Sequence, residues 1–425
     1  MLIGIGWRNR RSHPGGGKKL RKMRLRKGVH LPSRRETVIQ GLVPDVWPPG
    51  LVRCRLDRPY NFVVSGLPAT ESGEVLEGLS GSEHEDIVRV RRAQSGLRAI
   101  IAVHSTLLGP SLGGARFYPY EDEALALNDV LRLSRAMTQK AALAGLPQGG
   151  GKAVIIGDPR LVKTPTLLRD FAAAINLLQG RYITAEDVGT NQDDMDLIRE
   201  TTPFVAGTAT SHGGSGDPSS ATAFGVVLAM EAAAARLWGG VLEGRTACVL
   251  GAGKVGGEII RLLVQRRVVV IASDVDRTKA ERALRIGAAR VVDPRDALKV
   301  TADIFCPCAL GGLLTEEVVP DLSFALIVGA ANNQLARSGV ADSLAEAGIL
   351  YVPDFLANAG GIINIAEESH GYDQARAAQA VGQIRATTTA VLDRAELCGI
   401  TPLAAAEELV AERLARARGS ADKTD

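Results

Sequence analysis

Apolar residues recur at three- and four-residue spacing through "DEALALNDVLRLSRAMTQKAALAG" (122–145), "PTLLRDFAAAINLLQG" (165–180) and "ATAFGVVLAMEAAAARLWGG" (221–240), which predicts three amphipathic or buried helices. Between them, "GLRAIIAVHST" (96–106), "KAVIIG" (152–157) and "RYITAEDVGT" (181–190) are short β-branched runs and predict strands. Beyond residue 245 the rhythm becomes regular. "RTACVL" leads into the helical "KVGGEIIRLLV", and strand-like runs return at 290–292, 303–306, 325–331 and 349–352. Strands alternating with helices predict a parallel sheet covered on both faces. The chain closes on two helical stretches, the second opened by Thr401 as cap with Pro402 at its first position.

Upstream of about Gly73 this periodicity is missing, apart from a candidate strand at Tyr60–Val64, and the folded protein is expected to begin after Ser82. The net charge of +3 conceals an uneven distribution: 12 Lys or Arg and no acid fall between Met1 and Arg35. Such a block cannot bury a core, so residues 1–73 are expected to be basic and disordered, most simply leader sequence upstream of the true start. A tether to nucleic acid is the rival reading, disfavoured because few aromatics are present for base stacking. For 425 residues, 46% of them hydrophobic, the expectation is two domains with the tail. No run was expected to reach the roughly 20 apolar residues that span a bilayer, which points to a cytoplasmic protein without membrane partners. The five cysteines, including the "CPC" at 306–308, lack zinc-site spacing; reduced thiols and no metal are expected.

Two stretches carry candidate chemistry. Gly251, Gly253 and Gly256 form Gly-x-Gly-x-x-Gly between a predicted strand and helix, with Lys254 and Val255 in the same turn and Asp274 at the end of the next strand. The first glycine makes a tight turn, the second admits a pyrophosphate, and the third lets helix and strand pack closely. Asp274 would accept ribose hydroxyls and repel a 2′-phosphate, favouring NAD over NADP, although Arg277 lies nearby. In open α/β sheets ligands sit beyond the carboxyl ends of strands. That rule nominates "CPCALGG" with Ala309, "AANNQ" with Asn332 and Asn333, and "PDFLANAGG" with Asn358. These asparagines could cap helices or bind a carboxamide.

The other stretch is "GLPQGGGKAVIIGDP". It fails as a phosphate loop, since that motif would need glycine at Leu146 and a hydroxyl at Ala153. A partly desolvated ammonium at Lys152 would instead suit a base near neutral pH, the glycines leaving a floor for a small substrate. With Lys140 and Asp187 it makes two amines and one carboxylate, a sensible set for a zwitterion.

Together "GPSLGGARFYPY", "LSRAMTQKAALAGLPQGGGKAVIIGDP", "RYITAEDVGTNQDDMD", "AANNQLA" and "PDFLANAGGIIN" resemble the amino-acid dehydrogenases of the leucine, valine, phenylalanine and glutamate family, nearest the leucine and valine branch. The resemblance runs from about Glu83 to Arg418. It implies an α/β fold with an N-terminal substrate and oligomerisation domain (74–215), a C-terminal doubly wound Rossmann NAD-binding domain (216–369) and C-terminal helices (370–425) packing back. It implies a homo-oligomer that interconverts an amino acid with its 2-oxo acid and ammonium, using NAD. Lys140 would hold the substrate carboxylate, Lys152 would be the base that activates water, and Asp187 would relay protons at the amine. Thr222 and Ala309 would join the cofactor site.

Positions matching the family's side-chain pocket are Leu112, Gly113, Met137, Ala185, Ala206, Ile362 and Ile365. None is cationic, which argues against glutamate, and two isoleucines narrow the space for an aromatic ring. Leucine, valine or isoleucine is the expected substrate; phenylalanine and a non-catalytic NAD-binding scaffold are the alternatives. Ala115, Gln139 and Ala206 depart from the family pattern and bear on substrate preference.

Overall fold

A computed structural model describes residues 83–421 together with the strand segments 62–63 and 75–78. The basic run at 1–35, Cys54 and the rest of the tail expected at 1–73 lie outside the described residues, except Phe62–Val63, which form a strand paired with Glu77–Gly78, within the candidate strand Tyr60–Val64 and contrary to the expectation of disorder there. The first sheet contains β1 (Phe62–Val63), β2 (Val75–Gly78), β3 (Asp86–Arg92), β4 (Leu97–Ser105), β5 (Ser111–Tyr118), β6 (Gly149–Ile156) and β7 (Tyr182–Glu186), in the order β1-β2-β3-β4-β6-β5-β7. It is antiparallel from β1 to β6 and parallel across β6-β5-β7. The sheet therefore extends upstream of the start expected at Ser82, because β2 continues the antiparallel ladder on β3.

Among the described residues, four α-helices belong to this half: α1 (Glu123–Leu143), α2 (Pro159–Val162), α3 (Pro165–Leu177) and α4 (Gln192–Arg199). Asp122 caps α1 by accepting from the Leu125 N–H, and Asn191 with Asp194 closes a reciprocal capping box on α4. Helix α1 covers one sheet face through Ala126 and Val130 packed on Ile100 and Val154. The opposite face carries the larger layer, where Phe171 and Ile175 of α3 and Met195 and Ile198 of α4 meet Phe117 and Ile155.

Helix α5 (Ser219–Trp238) leads to the second sheet, which alternates β8 (Thr246–Leu250), α6 (Lys254–Gln265), β9 (Val269–Ser273), α7 (Arg277–Ile286), β10 (Arg290–Val291), β11 (Ile304–Pro307), β12 (Leu326–Ile327), α8 (Val340–Glu346) and β13 (Leu350–Tyr351). Its order is β10-β9-β8-β11-β12-β13 with every pair parallel, the doubly wound arrangement whose strand order reverses between β8 and β11. Helices α9 (Asp354–Ala357), α10 (Gly360–Ala366), α11 (Gln374–Cys398) and α12 (Pro402–Ala421) complete the chain.

By length and composition α5 is apolar enough to cross a membrane, contrary to the sequence expectation that no run would be. Its alanine-rich faces are instead packed by α6, α10 and α11 in the largest apolar cluster. That cluster also takes in Leu112, Ala185 and Ala206 of the first half, so one core continues from the second sheet to the edge of the first. Helix α12 returns to the first half, where Arg413 donates to the Ala142 and Leu146 carbonyls, both at 2.8 Å, and satisfies the end of α1.

Candidate active site

Lys152 sits inside β6, which begins at Gly149 rather than at the lysine, so the three glycines are strand and not loop. All three are buried. A Cβ on Gly150 would lie 2.0 Å from the Thr138 nitrogen of α1, and one on Gly149 would lie 1.8 Å from the Ser105 carbonyl oxygen. The glycines thus let α1 and β4 close onto the strand; their open side is filled by protein, and the expected substrate floor is not what they form. That close approach sets Lys140, two residues beyond Thr138 on α1, over the same sheet face as Lys152.

Strand β5 lies between β6 and β7, with Ala115 registered against both Ala153 and Glu186. Arg116 of β5 and Lys152 of β6 therefore converge on Asp187, the residue directly after β7. Lys152 Nζ is 2.8 Å from Asp187 Oδ2, and Arg116 Nε donates to the same oxygen at 3.1 Å. Gly114 makes room for the carboxylate, since a Cβ there would come within 2.9 Å of the Asp187 Cβ. Burial acts to raise the Asp187 carboxyl, but the Lys152 and Arg116 cations outweigh it and bring it down to about 2. Burial, with Lys152 adding to it against the pull of Asp354, lowers the Lys140 ammonium to about 8.

Lys140 also bridges the two halves, its Nζ donating to Asn332 Oδ1 at 3.4 Å. Asn332 Oδ1 in turn accepts from Asn358 Nδ2 at 2.8 Å, and that amide also donates to the Ala330 carbonyl at 3.1 Å. Asn358 Oδ1 is buried and has no hydrogen-bond partner among the described residues. Asp354, at the start of α9, faces Lys140 and is raised by burial. Met137 and the two isoleucines join Leu112, Ala185 and Ala206 in or against the continuous apolar cluster, and Gly113 lies among them, its carbonyl accepting from Tyr182 Oη at 2.6 Å.

At the switch point of the second sheet the glycines divide their tasks. Gly251 has φ +102° and lies against the Cys308 backbone, while a Cβ on Gly256 would stand 1.8 Å from the Gly251 carbonyl oxygen. A Cβ on Gly253 would meet nothing within 4 Å among the described residues. The middle glycine thus opens onto free space at the N-terminus of α6, where backbone N–H groups and the helix dipole favour an anion. Asp274 Oδ2 accepts from the Ala252 N–H at 2.7 Å and its Oδ1 from the Asp276 N–H at 2.8 Å, tying the turn to β9. Ala309 and Asn332 are exposed beyond the strand ends, Asn333 adopts φ +53°, and the Thr222 hydroxyl in α5 donates to the carbonyl of Pro218, just before the helix, at 3.0 Å. Lys254 pairs with Asp217 at 2.7 Å, and Val255 packs against the core. An open glycine turn, a helix N-terminus and a buried unpartnered amide oxygen fit a dinucleotide. Cys306 and Cys308 are free thiols with sulfurs 3.6 Å apart.

Residues 84–204 match the family described as Glu/Leu/Phe/Val dehydrogenase, dimerisation domain, and residues 213–278 and 275–419 match Glutamate/Leucine/Phenylalanine/Valine dehydrogenase. The chain belongs to the Glu/Leu/Phe/Val dehydrogenase family. Valine dehydrogenase of Streptomyces albus is 45% identical over 364 residues, 84% of this chain and 98% of the relative. Leucine dehydrogenase of Bacillus subtilis is 44% identical over 348 residues, 82% and 96% of the respective chains. The crystal structure of L-tryptophan dehydrogenase from Nostoc punctiforme aligns with TM-score 0.68 and 40% identity, covering 79% of this chain and 97% of that one. The protein is accordingly an amino-acid dehydrogenase of the α/β class, an oxidoreductase acting on the CH–NH2 group with a nicotinamide dinucleotide.

Sequence reasoning did not assign Arg116, Gly114, Asp217 or Asp354. Arg116 and Gly114 stand in the quoted "GGARF", and the alternation of that strand, two glycines and then a lone cation, was the available signal. Asp354 lies in "PDFLANAGG", where its acid was read only as part of a loop.

Proposed function

We propose that the protein catalyses the reversible, NAD-dependent oxidative deamination of a branched-chain L-amino acid to its 2-oxo acid and ammonium. The observation that carries the reading is the 2.8 Å Lys152–Asp187 pair, placed beside a second lysine and against a wholly apolar cluster. A free amino acid needs that combination: a cation for its carboxylate, a proton relay at its α-carbon, and no charge around its side chain.

Lys140 holds the substrate carboxylate, exchanging its weak contact with Asn332 for a full charge pair. Asp187, ionised at every working pH, takes up the α-ammonium and accepts its proton. After Asp187 has passed that proton to solvent, Lys152, once neutral, removes a proton from the water that attacks the iminium carbon and returns it to the carbinolamine nitrogen; ammonia leaves as Asp187 takes the hydroxyl proton, which then converts the ammonia to ammonium. The nicotinamide dinucleotide, when bound, accepts the α-hydrogen as hydride. Gly251, Gly253, Gly256, Lys254 and Val255 would hold its pyrophosphate, Asp274 its adenosine ribose, and Thr222, Ala309, Asn332, Asn333 and Asn358 its nicotinamide end. Preference for NAD rests on Asp274, a fixed negative charge where a 2′-phosphate would sit. Arg277, which could have countered it, is paired with Glu281 at 2.9 Å.

Leu112, Gly113, Met137, Ala185, Ala206, Ile362 and Ile365 take the side chain. Ile362 and Ile365, stiff at χ1, favour valine, leucine or isoleucine over an aromatic ring. Leucine and valine dehydrogenases among the relatives support this choice. We further propose that residues 74–215 form the substrate and oligomerisation domain of a homo-oligomer, with residues 216–369 binding the dinucleotide and 370–425 packing back. The test is NADH oxidation with ammonium and a panel of 2-oxo acids: 3-methyl-2-oxobutanoate, 4-methyl-2-oxopentanoate, phenylpyruvate and indole-3-pyruvate. Branched-chain substrates should lead in kcat/KM and Lys152→Ala should remove turnover; turnover of none of them would end the dehydrogenase assignment for these substrates, and a lead by phenylpyruvate or indole-3-pyruvate would overturn the pocket reading.

A further inference from the structure

The Lys152–Asp187 pair sets a problem for the chemistry just described, and this inference rests on that reading. A base must part with its proton, yet a buried carboxylate 2.8 Å away stabilises the ammonium and resists that loss. If Lys152 were the sole cation on Asp187, its deprotonation in the free enzyme, before the substrate ammonium arrives, would strand an unpaired charge in a buried site, at high cost.

The structure supplies a second cation on the same atom. Arg116 Nε donates to Asp187 Oδ2 at 3.1 Å, and the other edge of its guanidinium reaches Asp129 of α1 through Nη1 at 2.9 Å. Asp129 is fixed from two further sides, by Tyr120 Oη at 2.6 Å and by Arg132 Nη2 at 2.9 Å. The guanidinium is thus clamped between two carboxylates on neighbouring elements and is largely buried, its side chain 18% exposed. Because arginine does not deprotonate in proteins, its charge on Asp187 is permanent.

We propose that Arg116 is a positioning residue of the proton relay: it compensates the Asp187 charge so that Lys152 can release its proton without leaving an unpaired buried anion. The charged and titratable groups facing the pair are Arg116 on β5, Lys140 on α1, Tyr182 and Glu186 on β7 and, one step further, Asp129 on α1 and Asp354 on α9. Among them Arg116 is the one cation that touches Asp187 besides Lys152 itself. Lys140 is committed to the substrate carboxylate in the proposed complex, so it cannot substitute.

The experiment compares pH profiles of kcat/KM, which report the free enzyme, for amino-acid deamination in wild type, Arg116→Met, Arg116→Gln and Arg116→Lys. Gln keeps a hydrogen-bond donor for the two carboxylates without the charge, so it serves should the Met variant fail to fold. The ascending limb, which belongs to the coupled Lys152–Asp187 pair, should move up by about one to two pH units in the Met and Gln variants. Well below the limb their kcat/KM would then fall about ten- to a hundredfold, converging on wild type above it, with the plateau kcat changed less than threefold. Arg116→Lys should return the limb to within a few tenths of its wild-type position. A uniform loss of kcat with an unmoved limb would show that Arg116 only supports the fold and would overturn the inference. If Lys152→Ala or Asp187→Asn retained full turnover, the relay itself would fail; if both were inactive while the Arg116 limb stayed fixed, only the present inference would.

Discussion

Lys152 and Asp187, 35 positions apart in the chain, meet at 2.8 Å because β5 intervenes between their strands and carries glycine where a side chain would separate them. Each is the other's solvation. Asp187→Asn should therefore cost stability as well as rate, since it leaves Lys152 and Arg116 as adjacent buried cations. We expect a kcat loss of about 10²- to 10⁴-fold and destabilisation of about 3 kcal/mol. Steady-state kinetics and denaturant unfolding measure the two effects. Wild-type stability with lost activity would mean that the ammonium sheds its proton at little cost.

The three turn glycines should separate by experiment. Gly256→Ala places a methyl 1.8 Å from the Gly251 carbonyl and should lower the melting temperature by several degrees or block folding. Gly253→Ala meets no protein atom and should melt like wild type, yet raise KM for the dinucleotide about tenfold or more, because its methyl enters the space in front of α6. Equal effects of the two substitutions on melting would contradict the division of tasks between them.

Lys140 gives the site a pH dependence of binding. Its ammonium, brought down to about 8 by burial, attracts a carboxylate only while protonated. Protonated enzyme dominates below that pH and neutral enzyme above it, so affinity is constant below about 8 and falls as pH rises. A substrate-shaped acid without an amine, such as 4-methylpentanoate, should show an inhibition constant that is flat to about pH 8 and then rises roughly tenfold per pH unit. In Lys140→Ala the constant should be high throughout and without that break. A wild-type constant independent of pH up to 10 would place the carboxylate elsewhere.

What the sequence disclosed and what it hid divide along physical lines. The second sheet was legible strand by strand, since a parallel sheet buried on both faces needs continuous apolar runs and a glycine turn at fixed offset from the first of them. The antiparallel edge at β1 and β2 was less so: β1 lay within a candidate strand, but β2 lies in polar, glycine-containing sequence with no sustained alternation. Lys140, Lys152 and Asp187 were nominated together, as two amines and a carboxylate suited to a zwitterion, and took their roles from the resemblance. Arg116 and Asp354 were not assigned, because their partners, Asp187 and Lys140, come from distant segments that only the fold brings together. The glycines before Lys152 were misjudged for a related reason. An absent side chain says that something approaches closely, and only the fold says whether it is a ligand or another backbone.

That distinction can be tested at Gly150. Its missing Cβ accommodates the α1 backbone at Thr138, where a methyl would stand 2.0 Å from the nitrogen and 2.3 Å from Oγ1. Neither atom can yield cheaply: the first is helix backbone, and the second is hydrogen-bonded to His104 Nδ1 at 2.8 Å. Gly150→Ala must push α1 off the sheet, and Lys140 rides on the same helix. We expect destabilisation of more than about 3 kcal/mol, at the severe end for a single methyl. In whatever protein folds, KM for the amino acid should rise more than kcat falls, since Lys140 is displaced while Lys152 and Asp187 keep their strands. Melting curves and substrate titration read both effects. A variant with wild-type melting and a selective loss of substrate binding would restore the glycines to the substrate floor, with the helix playing no part.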